Sequence, residues 1–179
     1  MEDREEPASA GSANGSPASA AVKLELCRLF YLKHAPGLMM YLATQGASAA
    51  DAEDVLSHTM SEVWVHWDRL TNPRAWAYQV ARRALILRRK HIARESPTDF
   101  DPEAIISGAL DISPSSHDLL CAMAQLPDRQ LEVLGWRIAG FSPSEIAEEL
   151  HLTPSNARAN LTKARRSLED QLKGGNDQP

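Results

Sequence analysis

Apolar positions recur at helical spacing through most of this chain, and residues 142–172 are the most informative such stretch. Ile146, Ala147 and Leu150 share one face of a short helix. Ala157, Leu161, Ala164, Leu168 and Leu172 follow at spacings of four, three, four and four along a second helix. Ser142-Pro143-Ser144-Glu145 starts the first as a capping box. The Ser142 hydroxyl can accept the amide three residues on, Pro143 suits the first helical position, and Glu145 can reach back. Thr153-Pro154 repeats the start signal, so His151-Leu152-Thr153 is a three-residue turn and the pair reads as a helix-turn-helix.

Opposite the apolar stripe of the second helix stand Ser155, Ala159, Thr162 and Arg166, flanked by Arg158 and Lys163. Short side chains near the helix start let it approach base edges, and cations farther along neutralise phosphate, which is the layout a helix entering the major groove needs. Two capped helices with a solvated basic face also build any small bundle. Turn length, both caps and the placement of charge together point to nucleic acid.

Upstream, residues 1–22 are mostly Glu, Asp, Pro, Ala, Gly and Ser without periodicity and predict a disordered tail. Leu24, Cys27, Phe30 and Tyr31 then recur at helical spacing. His34-Ala35-Pro36-Gly37 is expected to kink or break that helix before it resumes over residues 38–44 and ends at Gly46. Ser48 with Asp51 caps a second helix whose inner stripe is Ala52, Val55, Leu56, Thr59, Met60, Val63 and Trp67. Asn72-Pro73 starts a third, running to about Arg94 with Trp76, Val80, Ala84 and Leu87 turned inward and many arginines outward. Trp64, Trp67, Trp76 and Tyr78 lie close to those arginines, a composition suited to stacking unpaired bases; the aromatics can equally be core, the favoured reading for Trp67 and Trp76.

Residues 95–118, with Pro97, Pro102, Pro114 and only acidic charge, read as a linker with one helical turn around residues 103–106. Leu119, Leu120, Met123 and Leu126 mark a further helix, Leu131, Leu134 and Ile138 another closed by Gly140, and residues 174–179 should fray. The expected organisation is all-α: two small helical domains, residues 23–94 and 119–173.

The length, 179 residues, fits that division, and 43% hydrophobic with 24% charged residues is a globular composition. Neither an apolar run near 20 residues nor a signal core is present, so the expectation is a cytoplasmic protein without membrane insertion. Cys27 and Cys121 are expected as buried thiols. The net charge of −5 is segregated: −3 over residues 1–22, +5 over 23–94, −6 over 95–118 and −1 over 119–179. Such a distribution leaves room for a nucleic-acid surface that the total conceals. HExxH, CxxC, Gly-rich phosphate-loop and GxSxG motifs are all missing, and His58 and His66 are eight apart rather than four. The chain is therefore read as a non-enzyme with no catalytic residues, no metal and no cofactor.

DAEDVLSHTMSEVWVHWDRL, NPRAWAYQVARRALILRRK and LPDRQLEVLGWRIAGFSPSEIAEELHLTPSNARANLTKARRSL, in this order and spacing, resemble the two blocks of the extracytoplasmic-function sigma factors of bacterial RNA polymerase. The resemblance implies a region 2-like domain, an acidic flexible linker and a region 4-like helix-turn-helix domain. By position, Asp51, Glu53, Asp54, Ser57, His58 and Glu62 would face core polymerase at its beta-prime clamp, the beta flap being the second contact. Arg69, Asn72, Arg74, Trp76, Tyr78, Arg82 and Arg83 would face the minus-10 strand. Ser155, Asn156, Arg158, Ala159, Thr162, Lys163 and Arg166 would face the minus-35 duplex. The partners so implied are core polymerase, promoter DNA and an anti-sigma factor; the alternative is a sigma-like regulator or sequestering protein that forms no active holoenzyme. The chain departs from the family at Ser57-His58, where Gln-Glu or Gln-Asp is common, at Arg83, where Asn is usual, and at His151, where the turn often has glycine.

Overall fold

A computed structural model describes residues 17–95 and 114–175, and every regular element among them is helical. The N-terminal domain holds α1 (Pro17–Thr44), α2 (Ala49–His66), a 3-10 turn (Trp67–Arg69) and α3 (Pro73–Glu95). The C-terminal domain holds α4 (Pro114–Ala124), α5 (Asp128–Ile138), α6 (Pro143–Glu149) and α7 (Pro154–Gly175).

The helix starts form where the sequence signals them. Ser48 Oγ accepts the Asp51 amide at 3.1 Å, Asn72 Oδ1 that of Ala75 at 3.1 Å, and Thr153 Oγ1 that of Asn156 at 3.1 Å. At α6 the capping box is complete, Glu145 N donating to Ser142 Oγ and Ser142 N to Glu145 Oε2. Each cap satisfies an amide that the helix itself leaves without an acceptor.

Three helix ends share one device. The amides of Ala47, Phe141 and Leu152 bond back to the carbonyls of Leu42, Trp136 and Ala147, closing α1, α5 and α6. That wrap places one residue in left-handed conformation: Gly46 at φ 80°, Gly140 at φ 88° and His151 at φ 53°. His151 thus adopts a glycine's backbone, and the turn keeps its geometry without the glycine.

Several expectations are corrected. α1 starts at Pro17 and runs unbroken through Pro36. An interior proline costs a helix about 3 kcal/mol, but Leu38, Tyr41 and Leu42 just beyond it are fully buried, and their packing keeps the helix from breaking there. Leu24 and Tyr31 are exposed, whereas Phe30 beside Tyr31 is buried against Trp67. In α3 the inner face is Ala77, Tyr78, Ala81 and Leu85, one position round from the expected stripe, and Leu87 faces solvent; α3 packs on two sides at once, against α1 and α2 and against the C-terminal domain. Ile138 is likewise exposed, and Cys27 and Cys121 are half-buried thiols. α4 begins at Pro114, inside the expected linker; the helical turn expected around residues 103–106 and the outer parts of both tails fall outside the described residues.

α5 joins the two domains. Glu132, Val133, Leu134, Gly135 and Trp136 are all buried, so this helix is covered all round. One side packs on α7 and α6 of its own domain and the other on α1 and α3. Trp136 sits among Tyr41, Tyr78 and Phe141 with ring centroids 6.2, 5.6 and 4.7 Å away, and the core runs unbroken between the domains.

Candidate nucleic-acid interface

The helix-turn-helix face is open. Ala157, Leu161 and Ala164 bury the inner side of α7, which turns Ser155, Asn156, Arg158, Ala159, Thr162, Lys163 and Arg166 outward, and all seven are exposed. Thr162 Oγ1 donates to the Arg158 carbonyl at 3.0 Å, a bond along the helix itself. The Arg158, Lys163 and Arg166 side chains carry their charge into solvent. An anionic duplex could therefore approach α7 without displacing another part of the described chain.

The α3 face is occupied. Arg69 and Arg83 are exposed, and Asn72 caps α3. Trp76 is half-buried, its ring 5.5 Å from that of His66. Arg74 donates to the Ala139 carbonyl at 2.6 Å and lies 3.8 Å over the Phe141 ring, and Arg82 pairs with Glu132. Tyr78 is buried, its ring 5.0 Å from Phe141; burial pushes its hydroxyl pKa up to about 12, so it stays protonated. Gln79 completes the seam by donating to the Glu149 carbonyl at 2.5 Å. Between the faces lies a cleft of about 700 Å³, with Arg69, Trp76 and Arg83 on one wall and Glu148, Glu149 and His151 on the other.

The α2 face is divided. Asp51 accepts from Ser48 Oγ at 2.7 Å and pairs with Arg88, which also reaches Asp54 at 3.0 Å; the Asp51 bond raises the Arg88 pKa further. Glu62 lies 3.5 Å from His66. Glu53, Ser57 and His58 are exposed between them. Asp51 thus serves the start of α2 and its tie to α3, whereas Glu53, Ser57 and His58 form the accessible patch.

The residues of the interdomain joint, Gln45, Gln79, Glu132, Gly135, Trp136 and Phe141, are not evident from one-sided helical stripes. The signal in the sequence is α5 itself, which carries Leu131, Val133, Leu134 and Trp136 on every side and so asks for cover all round. Among the described residues no group of three or more His, Cys, Asp or Glu is placed to hold a metal ion. Nor is any helix among them long and apolar enough to cross a membrane.

Residues 30–95 match the family model for Sigma-70 region 2, and residues 116–168 that for Sigma-70, region 4. The chain is 27% identical over 160 residues to the ECF RNA polymerase sigma factor SigL of Mycobacterium tuberculosis, covering 84% of this chain and 90% of that protein. It is 26% identical over 139 residues to the ECF RNA polymerase sigma factor SigF of Caulobacter vibrioides, 74% of this chain and 77% of the relative. The sigma factor RpoE of Bartonella quintana, solved in complex with the anti-sigma factor NepR, superposes with a TM-score of 0.65 at 21% identity, over 82% of this chain and 96% of that one. CnrH, solved with the cytosolic domain of CnrY, gives 0.61 at 19% identity over 87% and 95%. With both sigma-70 regions matched in order on a helical frame that carries an open helix-turn-helix, the chain belongs to the sigma-70 family as an extracytoplasmic-function RNA polymerase sigma factor.

Proposed function

We propose that the C-terminal domain reads the minus-35 duplex through α7, and that the N-terminal domain docks on core polymerase through α2 and captures the minus-10 strand with α3 and the turn before it. The observation that carries this reading is the alignment of seven short, polar or cationic side chains on the solvent face of α7, directly behind a capped three-residue turn. Opening a duplex costs about 1.4 kcal/mol per base-pair step in stacking, so a melting factor needs a site for unpaired bases. Trp76 beside Arg69 and Arg83 supplies an aromatic surface with flanking cations.

Glu53, Ser57 and His58 offer the clamp a patch with fewer carboxylates than the family pattern; Asp54 beside them is exposed while paired with Arg88, and Asp51 is half-buried in its own pair with Arg88. The protein acts as a binding factor rather than a catalyst, in the cytoplasm where polymerase and DNA meet. An anti-sigma factor, as bound to RpoE, is a further partner.

Run-off transcription with purified core polymerase on a library of random upstream DNA tests the reading. Transcripts enriched for two spaced motifs are expected. A folded protein that binds core but yields no transcripts would overturn the initiation role.

A further inference from the structure

We infer that a cavity between α1 and α3 is a binding site for a small phosphate group, free or carried as a monoester on a metabolite. The cavity measures about 390 Å³ and is lined by Lys33, His34, Gly37, Arg74, Tyr78 and Ala139. Small-ligand clefts run from about 300 to 1,000 Å³, so this one suits an ion or a compact ester. Each polar side chain on its wall can donate a hydrogen bond, and no carboxylate is among the six residues. Glu145 lies near enough to feel the charge of Arg74, but its carboxylate accepts the Ser142 amide at 2.7 Å in the capping box of α6. Arg69, Trp76 and Arg83 line the other cleft, so the site does not depend on how α3 meets DNA.

The donors are fixed by the fold. Arg74 Nη2 donates to the Ala139 carbonyl at 2.6 Å and the guanidinium lies 3.8 Å over the Phe141 ring, which hold the planar fork while engaging one of its N–H groups. Burial pushes the Tyr78 hydroxyl up to about 12, so it keeps its proton to donate. Gly37 leaves that hydroxyl its room, because a Cβ there would fall 2.9 Å from Tyr78 Oη. The electrostatics also favour an anion. His34 is kept neutral first by burial and then by the charges of Lys33 and Arg74; a phosphate among the three would offset that repulsion and draw a proton onto the imidazole.

The test titrates the full chain with inorganic phosphate and with glycerol phosphate, against chloride at matched ionic strength. Calorimetry reads affinity, and NMR of the His34 ring reads the site itself. Saturable binding is expected, with the His34 pKa raised in the complex; whichever probe binds more tightly names the source of the phosphate. Lys33→Ala, at an exposed position, should weaken binding about tenfold or more, the loss of one charged hydrogen bond. Gly37→Ala, which presses a methyl on the Tyr78 hydroxyl, should weaken it as well, with circular dichroism checking that both variants keep their helix content. A response that chloride reproduces, saturable binding that both variants leave intact, or a His34 ring unmoved at saturation would each overturn the site. Displacement of phosphate by a short single-stranded oligonucleotide that shifts the same ring would overturn the small-molecule assignment and give the cavity to a nucleic-acid backbone.

Discussion

The Arg82 guanidinium on α3 pairs with the Glu132 carboxylate on α5 across the domain joint, and Arg129 donates to the second oxygen of the same carboxylate at 2.6 Å. Glu132 is thereby a buried acid with both oxygens engaged, and it holds one cation from each domain. Truncation would leave two guanidinium groups facing each other over an apolar gap. Loss of a partner from a buried pair costs about 3–5 kcal/mol, but both arginines keep access to water, which reduces the loss to about 1–3 kcal/mol. Glu132→Ala is expected to show that loss in urea unfolding, and Glu132→Gln a smaller one.

Single-face periodicity found the helices and missed what binds them together. The four side-chain caps, the glycine stops at Gly46 and Gly140, and the inner stripes of α2, of α6 and of α7 as far as Leu168 are local patterns, set by side chains within four residues of one another, whereas Leu172 at the end of the α7 stripe is exposed. Glu132 reads in isolation as the polar side of α5, and its burial is tolerable because Arg82, 50 positions away, pairs with it alongside the local Arg129. The same holds for α3, whose stripe was displaced by one position because a second domain covers an adjoining face. The outward face of α7 was legible because nothing long-range competes for it.

His151 holds a left-handed backbone at φ 53° to end α6, where the two parallel stops of the chain use glycine. A side chain costs about 1–2 kcal/mol in that conformation, partly offset because glycine adds entropy to the unfolded chain. His151→Gly is therefore expected to stabilise the protein by about 0.5–1 kcal/mol, raising the melting midpoint by a few degrees. His151→Val, β-branched at positive φ, should lower it by more than that.

His34 packs on the Phe30 ring at 4.5 Å, and its pKa is lowered, first by burial and then by the charges of Lys33 and Arg74. The folded protein therefore prefers the neutral imidazole. Because the folded pKa lies below the unfolded value, the stabilising contribution is complete above the ordinary histidine range and is lost as pH falls from there through the folded pKa. Thermal melts between pH 8 and about pH 5 should show wild type losing stability relative to His34→Gln over that window. An imidazole titration by NMR at or above the ordinary value would contradict the assignment.

Arg158 and Arg166 sit eight residues apart on the outer side of α7 and should fail differently when removed. Arg158 lies in the first turns, next to Ser155 and Ala159, where a recognition helix comes nearest to base edges; Arg166 lies two turns farther on, where the proposed docking of α7 would take the helix out of the groove and beside phosphate. A base contact discriminates sequence at about 1–3 kcal/mol per pair, whereas a phosphate contact contributes to every sequence and releases a counterion. Holoenzyme binding to promoters varied in the minus-35 element, measured over a range of salt, separates the two. Arg166→Ala is expected to weaken all promoters alike and to reduce the slope of log affinity against log salt by about 0.9. Arg158→Ala should instead flatten the preference at one or two base positions, and a uniform loss there would move Arg158 from base reader to phosphate clamp.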